Sequence, residues 1–439
     1  MERLMKRVSV LGLGYIGLPT AILAAQAGYN VSGFDTNQEK VKKINTGNPT
    51  IFEPEITERL WETLKDNNFK AYSDLQYADY FVIAVPTPFK ENKAADLSYV
   101  FAAGEAIALR LRPGNLVILE STVSVGTTEK LTLQLEELSG LKVGIDFFVA
   151  HCPERVLPGR VFKELVANDR IVGGICQRSC ELAQAFYAKF VKGFIHVCDD
   201  KTAEMVKLIE NSSRDVMIAF ANQVAGMCEQ AGLDPHHVIE LANKHPRVKI
   251  LKPTCGVGGH CIAIDPWFLI ETFPQETTLL KAARIINDTK PFQVLETIYT
   301  KAQELRNLGV EKPHILTLGL TYKPDVDDIR ESPALKIAHE LLQKSSLFEL
   351  QVYDPNVPQA AISDFDFKSP QSLLKGIAWA DMVVVLVKHK EFLHIKEEIL
   401  CDKVVIDSCG LLYDLRTRHT QDFLEGAIKT SYNLVRSDP

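Results

Sequence analysis

Val8-Ser9-Val10-Leu11-Gly12-Leu13-Gly14-Tyr15-Ile16-Gly17-Leu18-Pro19 is the stretch whose reading decides the fold. Val8 to Leu11 is a short apolar run with the look of a strand. Three glycines follow at Gly-x-Gly-x-x-Gly spacing, and a helical pattern runs from Thr20 to Ala27. Val31-Ser32-Gly33-Phe34-Asp35 then reads as a second strand ending in an acid, 18 residues after the third glycine. Strand, glycine turn, helix, strand and acid together describe a dinucleotide site. The glycines permit the turn and the close approach of a pyrophosphate, which sits at the helix N-terminus. Asp35 is placed to accept from the adenosine ribose hydroxyls, which favours NAD over NADP. Alone, the glycine spacing marks little more than a turn; its neighbours on both sides make it specific. Gly12, Gly14, Tyr15, Ile16, Gly17 and Asp35 are the cofactor-binding candidates from this unit.

The alternation continues beyond it. Ala78 to Val85 is a buried-strand pattern leading to Thr87, and Asn115 to Glu120 is another leading to Thr122, with Thr128 a little further on. Ligands of open α/β sheets sit at the carboxyl ends of strands, so these threonines are candidate cofactor contacts; ordinary loop capping is the alternative. Phe147 to Ala150 is a further strand, followed by Cys152-Pro153-Glu154-Arg155-Val156-Leu157-Pro158-Gly159.

The chain has 439 residues, enough for two or three domains. Its 46% hydrophobic and 24% charged residues are those of a globular protein. A net charge of −7 speaks against nucleic acid as a main partner. Nine cysteines, odd in number and irregular in spacing, do not form a disulfide framework. Arg3, Lys6 and Arg7 before an apolar run mimic an export signal, but Gly12, Gly14, Gly17 and Pro19 break it up. No stretch is long and apolar enough to span a membrane. A cytoplasmic location with reduced thiols is the expectation.

From Thr202 to Gln230 there is no proline and one glycine, which predicts a long helix, apolar around much of its circumference and buried between domains or subunits. Glu204, Lys207, Asn211 and Arg214 recur at spacings of three and four and share a face. Either that face is a solvated stripe or it lines a site; its apolar surroundings favour a site, since buried polar groups need partners. His245-Pro246-Arg247-Val248 then leads to Cys255-Gly256-Val257-Gly258-Gly259-His260-Cys261-Ile262-Ala263-Ile264-Asp265. Paired glycines let the backbone approach a ligand, and present Cys261 from a tight turn with Asp265 four residues on. A thiolate so placed is a candidate covalent nucleophile; a buried structural cysteine is the alternative. Leu279 to Asn287 and Val294 to Leu308 are helical segments, and Glu311-Lys312-Pro313 is a linker.

The last part repeats the logic of the first. His314 to Leu320 is an apolar run ending at a glycine, Leu350 to Asp354 ends in an acid, and two apolar runs follow, Ala380 to Val387 and Lys403 to Ser408. Two sheets of related topology, one at each end with helices between, are inferred. In place of the glycine motif the second sheet offers Gly319 to Pro333. There Lys323 and Arg330 either meet a phosphorylated ligand or pair with Asp325, Asp327 and Asp328.

NAD and a presented cysteine together suggest more than simple hydride transfer. An aldehyde captured by Cys261 becomes a thiohemiacetal, loss of hydride gives a thioester, and water releases an acid. Lys207 and Asn211 would steady the oxyanions, while Asp265 or Glu154 handle water and protons.

At these residues the chain resembles the UDP-glucose/GDP-mannose dehydrogenase family over nearly its whole length. Gly12 to Pro19, Lys207 with Asn211, Gly258-Gly259-His260-Cys261 with Asp265, and Gly319 to Lys323 with Asp327 to Pro333 match the family's motifs. The resemblance implies an α/β protein of two Rossmann-like doubly wound parallel-sheet domains joined by a helical region with a long central helix. It implies an NAD-binding domain at 1–200, a central helical region with dimerisation role and catalytic loop at 201–310, and a UDP-sugar-binding domain at 311–439. The implied reaction is a four-electron oxidation of a sugar C6 alcohol to a carboxylate, with two NAD+. Cys261 is then the nucleophile, Lys207 serves acid/base and oxyanion roles, Asn211 supports it, Asp265 assists proton transfer and Glu154 is the base for thioester hydrolysis. His245-Pro246-Arg247-Val248, the Ile262 to Phe268 ending and Pro153 to Gly159 are similar to the branch acting on UDP-N-acetyl-D-mannosamine. Pro158 stands where UDP-glucose enzymes carry a second glutamate. In that branch Arg155, Val156, Lys207, Asn211, Arg214, His245, Arg247, Gly258, Lys323 and Arg330 contact the UDP-N-acetylhexosamine. The product would be an N-acetylmannosaminuronate donor for a surface polysaccharide, made by a homodimer. Other readings are a UDP-N-acetyl-D-glucosamine 6-dehydrogenase, a non-catalytic NAD/UDP-sugar-binding sensor, and a metal site of His260, Cys261 and Cys255. The last lacks a convincing ligand spacing, and no metal is expected.

Overall fold

A computed structural model describes residues 5–417 apart from Phe52, Glu91, Asn92, Pro158, His260 and Ser345. The chain divides into two units, Met1–Asn211 with Ile264–Thr277 and Ser212–Ala263 with Thr278–Pro439. The comparison between Pro158 and a glutamate, and the metal set containing His260, lie outside the described residues.

The first unit is built on eight strands: β1 (Arg7–Leu11), β2 (Asn30–Phe34), β3 (Phe69–Tyr72), β4 (Tyr80–Ile83), β5 (Leu116–Leu119), β6 (Phe148–His151), β7 (Arg170–Gly174) and β8 (Ile195–Asp199). Their order is β3-β2-β1-β4-β5-β6-β7-β8, parallel throughout except that β6 and β7 run antiparallel. Every residue of β4 and β5 is buried. Helices cover both faces of a parallel sheet, so its inner strands are continuous apolar runs. That is why those strands stand out in the sequence.

Strands β3, β7 and β8 do not stand out. Most of β8, Ile195-His196-Val197-Cys198-Asp199, is exposed or half-buried. Strand β7 ends in Gly173-Gly174, which reads as a turn. Both glycines answer to packing: a Cβ on Gly173 would lie 2.5 Å from Ala203 Cβ, and one on Gly174 2.6 Å from Cys180 Sγ.

The second unit carries β9 (His314–Leu318), β10 (Glu349–Tyr353), β11 (Met382–Val385) and β12 (Val404–Asp407), all parallel, in the order β10-β9-β11-β12. The same neighbour pattern occurs as β2-β1-β4-β5, and local bonds repeat with it. Gly12 N–H donates to Phe34 O and Gly319 N–H to Tyr353 O, each at 2.8 Å. Asp35 Oδ2 accepts from Leu13 N at 3.1 Å, as Asp354 Oδ2 does from Leu320 N at 2.7 Å. The expected relation between the two sheets thus extends to the turn that follows the first strand of each.

The long helix spans Asp200–Ala231, against the expected Thr202 to Gln230. The two expected segments after Leu279 are one helix, Thr278–Asn307, with Pro291 inside. Proline removes a helical hydrogen bond and costs about 3 kcal/mol in a helix interior. Pro291 is buried beside Val294, Leu295 and Ile298, the last three in the second unit's core, and this packing offsets the cost. Among the described residues no helix is long and apolar enough to cross a membrane.

Candidate active site

The glycine turn after β1 is shaped by contact on one side and space on the other. Gly12 has φ +90°, and a Cβ there would lie 2.5 Å from Ala84 O. A Cβ on Gly17 would lie 1.8 Å from Gly12 O, whereas one on Gly14 meets nothing within 4 Å. Two glycines close the turn against the sheet and the third leaves its outer face open at the start of the helix Gly17–Gln26. Unsatisfied N–H groups at such an end favour an anion, so these residues fit a dinucleotide pyrophosphate. Asp35 is buried; its Oδ1 accepts from Asn37 N at 3.0 Å and its Oδ2 pairs with Lys40 Nζ at 2.8 Å. Tyr15, Ile16, Thr87 and Thr122 are half-buried in the turn and after β4 and β5.

Thr128 and Glu204 have a different placement from the one expected. Thr128 donates both its N–H (2.7 Å) and its hydroxyl (2.6 Å) to Glu204 Oε1, and Gly126 N–H donates to Oε2 at 2.6 Å. Both side chains are fully buried. Glu204 therefore anchors the start of the helix Thr127–Ser139 to the long helix, and does not line an open face.

One and two turns further along that helix stand Lys207 and Asn211. Asn211 Nδ2 donates to Asp265 Oδ2 at 2.5 Å. Lys207 and Asp265 are both buried. Burial raises the Asp265 pKa to about 6, while the Lys207 charge and the Asn211 bond pull it back. The buried His151 ring is neutral, its pKa lowered to about 3 mainly by burial and further by Lys207.

Asp265 has a consequence for stability. The folded state holds its proton more tightly than the unfolded chain, so stability falls as pH rises from about 4 to about 6 and stays lower above that. Asp265→Asn removes the buried charge. It is expected to stabilise the fold by roughly 1–3 kcal/mol at pH 8 and by nothing near pH 4. Thermal melts of both proteins across that range provide the check.

Glu154 is buried. Its Oε1 accepts from Arg155 N at 2.6 Å, and its Oε2 lies 3.1 Å from Arg170 Nη2. Arg155 turns its guanidinium to Glu210, with Nη2 2.7 Å from Oε1, and Val156 beside it is half-buried. Sequence reasoning passed over Arg170 and Glu120. The only signal was a charged residue abutting an apolar run, Arg170 before Ile171-Val172 and Glu120 after Ile118-Leu119.

In the second unit, Cys261 is exposed and forms no disulfide. The turn before it is pressed against the segment after β9. A Cβ on Gly258 would lie 2.3 Å from Glu331 O, and one on Gly259 2.9 Å from the Tyr322 ring. Thr254 N–H donates to Asn222 Oδ1 at 2.9 Å, Asn222 to Asn287 Oδ1 at 3.0 Å, and Asn287 to Asp215 Oδ1 at 2.8 Å. The buried Arg284 closes this chain on Asp215 at 2.5 Å. A row of buried polar groups thus holds the loop that leads to Cys261.

Arg330 makes a two-point pair with Asp328, at 2.9 and 2.7 Å. It is an exposed pair of the kind worth about 0–1 kcal/mol, so an anionic ligand can compete for the guanidinium. Lys323 Nζ sits 5.4 Å over the Tyr322 ring, and Asp325 is tied to Lys390. Arg214, His245 and Arg247 are exposed. Among the described residues, no cluster of three His, Cys, Asp or Glu side chains is placed to hold a metal ion.

Comparison with known proteins matches three successive parts of the chain to one family. The NAD binding domain of the UDP-glucose/GDP-mannose dehydrogenase family matches residues 6–191, its central domain 201–289 and its UDP binding domain 316–416. The chain belongs to the UDP-glucose/GDP-mannose dehydrogenase family. Within it, a UDP-N-acetyl-D-mannosamine dehydrogenase from Campylobacter jejuni is 46% identical over 91% of this chain and 98% of its own length. An NDP-N-acetyl-D-galactosaminuronic acid dehydrogenase from Ralstonia nicotianae is 43% identical, over 92% and 96%. The solved structure of the UDP-D-ManNAc dehydrogenase of Pyrococcus horikoshii superposes with a TM-score of 0.84 at 44% identity, covering 92% of this chain and 96% of that one. This member of the UDP-glucose/GDP-mannose dehydrogenase family is an NAD-dependent oxidoreductase of nucleotide sugars.

Proposed function

We propose that the chain oxidises the C6 alcohol of UDP-N-acetyl-D-mannosamine to the carboxylate of UDP-N-acetyl-D-mannosaminuronate through a thioester on Cys261. The observation that carries this reading is an exposed cysteine on a glycine turn packed against the segment bearing Lys323 and Arg330. The names of the Campylobacter and Pyrococcus relatives support the choice of sugar.

Gly12 to Gly17 and Asp35 would hold NAD+, which would supply the hydride acceptor for two successive oxidations. Asp265, aided by Lys207, takes the proton of the C6 hydroxyl as the aldehyde forms. The Cys261 thiolate adds to the aldehyde carbon, the new alkoxide takes back the proton held by Asp265 to give a thiohemiacetal, and that hydroxyl proton returns to Asp265 as the second hydride leaves and the thioester forms. Lys207 and Asn211 steady the oxygen at this stage and in the thioester that follows. Glu154 removes a proton from water as it adds to the thioester carbon; the C–S bond breaks and the thiolate returns. Arg155, Val156, Arg214, His245, Arg247, Gly258, Lys323 and Arg330 hold the UDP-sugar. Thr87 and Thr122 contact the cofactor, and Thr128 acts through the loop that it anchors. On this reading 1–200 is the NAD domain, 201–310 the central and dimerising region and 311–439 the UDP-sugar domain of a cytoplasmic homodimer.

The test supplies NAD+ with the manno, gluco and galacto UDP-N-acetylhexosamines. The expected result is two NADH per manno sugar with an acid product. One NADH with free aldehyde overturns the four-electron reaction. Preference for the galacto sugar would favour the Ralstonia relative's named activity, and preference for the gluco sugar the remaining epimer.

A further inference from the structure

The first unit holds two buried charges, Glu120 and Arg170, to which the reaction above gives no part. Glu120, at the end of β5, is 1% exposed. Its Oε1 accepts from Tyr187 Oη at 2.6 Å and from Arg170 Nη2 at 2.8 Å, and its Oε2 from Thr20 Oγ1 at 3.2 Å. The same Arg170 Nη2 lies 3.1 Å from Glu154 Oε2. One guanidinium nitrogen is therefore shared by two carboxylates, and the Tyr187 ring lies 4.2 Å beneath its carbon. Removing either end of such a buried set leaves an uncompensated charge.

We propose that Arg170 is the positioning residue for Glu154 in thioester hydrolysis, and that Glu120 sets how much of the Arg170 charge Glu154 receives. The proposal rests on the reading that Cys261 becomes acylated and that Glu154 takes the proton of water. Two observations support it. Glu154 Oε2 is ion-paired with Arg170, yet no hydrogen-bond donor is aligned on it among the described residues. It keeps a lone pair for water while its carboxyl group is fixed through Oε1. Glu120 by contrast has an aligned donor on each oxygen, Tyr187 and Arg170 on Oε1 and Thr20 on Oε2.

Three further titratable groups of the described residues lie at this cluster. Cys152 on the loop after β6 is a neutral thiol, its pKa pushed up to about 12 by burial. His151 is neutral, and burial raises the Tyr187 phenol well above its usual value. Among the described residues of the cluster, Arg170, Glu120 and Glu154 are the ones joined by ion pairs. Burial pushes the Glu120 pKa up to about 7, the Arg170 charge lowering it and the Glu154 charge raising it. As Glu120 takes a proton its share of Arg170 falls away, and the shared Nη2 is left to Glu154.

Decay of the Cys261 acyl adduct, followed by quenched-flow and intact-protein mass across pH 5.5 to 8.5, tests this. Arg170→Met is expected to move the acid limb of that decay up by about 1–3 pH units and to let the adduct accumulate. Arg170→Lys restores part of the shift. Glu120→Gln, close to isosteric with the protonated acid, is expected to leave that limb in place and to remove the inflection near pH 7 at which Glu120 itself takes a proton and ceases to share the cation. A purely structural role would not remove one inflection and leave the other. An inflection near pH 7 kept in Glu120→Gln together with an unmoved acid limb in every folded Arg170 variant, with Glu154→Gln still trapping the adduct, overturns the proposal alone. If no adduct forms on Cys261 even in Glu154→Gln, the underlying reading falls and this proposal with it.

Discussion

Cys261→Ala is expected to form no acid while still binding NAD. The side chain is exposed and the glycine contacts of the turn belong to Gly256, Gly258 and Gly259, so the loop should keep its shape without the sulfur. Loss of a covalent nucleophile costs on the order of 10⁴-fold or more in kcat. The first oxidation needs no sulfur, so a slow release of aldehyde with one NADH per sugar is compatible with the scheme. Retained acid formation with two NADH per sugar is not. Cofactor titration by fluorescence, product analysis and a thermal melt together separate loss of chemistry from loss of fold.

Lys207→Ala is expected to lower kcat by about 10²–10⁴-fold with little change in KM. Lys207 is buried one helical turn before Asn211, and its charge is felt by Asp265 and His151. Without it, the Asp265 pKa should rise beyond about 6 and the carboxylate should lose part of its charge near neutrality. The acid limb of the first oxidation then moves to higher pH. Lys207→Arg should recover little, since a planar fork does not replace a compact ammonium in a buried site. Stopped-flow NADH formation over a pH series reads both effects. An unchanged rate constant would remove Lys207 from the chemistry.

Both predictions rest on residues that the sequence already marked, and the reason is local. Lys207 and Asn211 share a helical repeat, so their common face is written in spacing, and Cys261 and Asp265 stand out because they are four residues apart in a glycine-rich stretch. The bond from Asn211 to Asp265 is not, because it joins positions far apart in the chain. The same division runs through the fold. Wholly buried β4 and β5 announced themselves, whereas β8 was hidden by its exposed face and β7 by glycines that serve packing. The segments Leu279 to Asn287 and Val294 to Leu308 read as two, although they belong to one helix that runs on through the buried Pro291. Glu204 fell on the expected face, yet it bonds to Thr128 and Gly126. Spacing shows which side chains share a face and says nothing of what that face meets. Arg170 and Glu120 were passed over for the same reason: an isolated charge in sequence gives no hint of the carboxylate or guanidinium opposite.

The glycines before Cys261 leave no gap toward Tyr322, Glu331 and Pro333. Loop and facing segment are therefore a matched pair, like a key and the lock cut for it. Anyone recombining this chain with a relative to change its nucleotide preference should transplant residues 254–261 along with the carboxy-terminal sheet. A crossover placed between them would graft one backbone onto a surface carved for another.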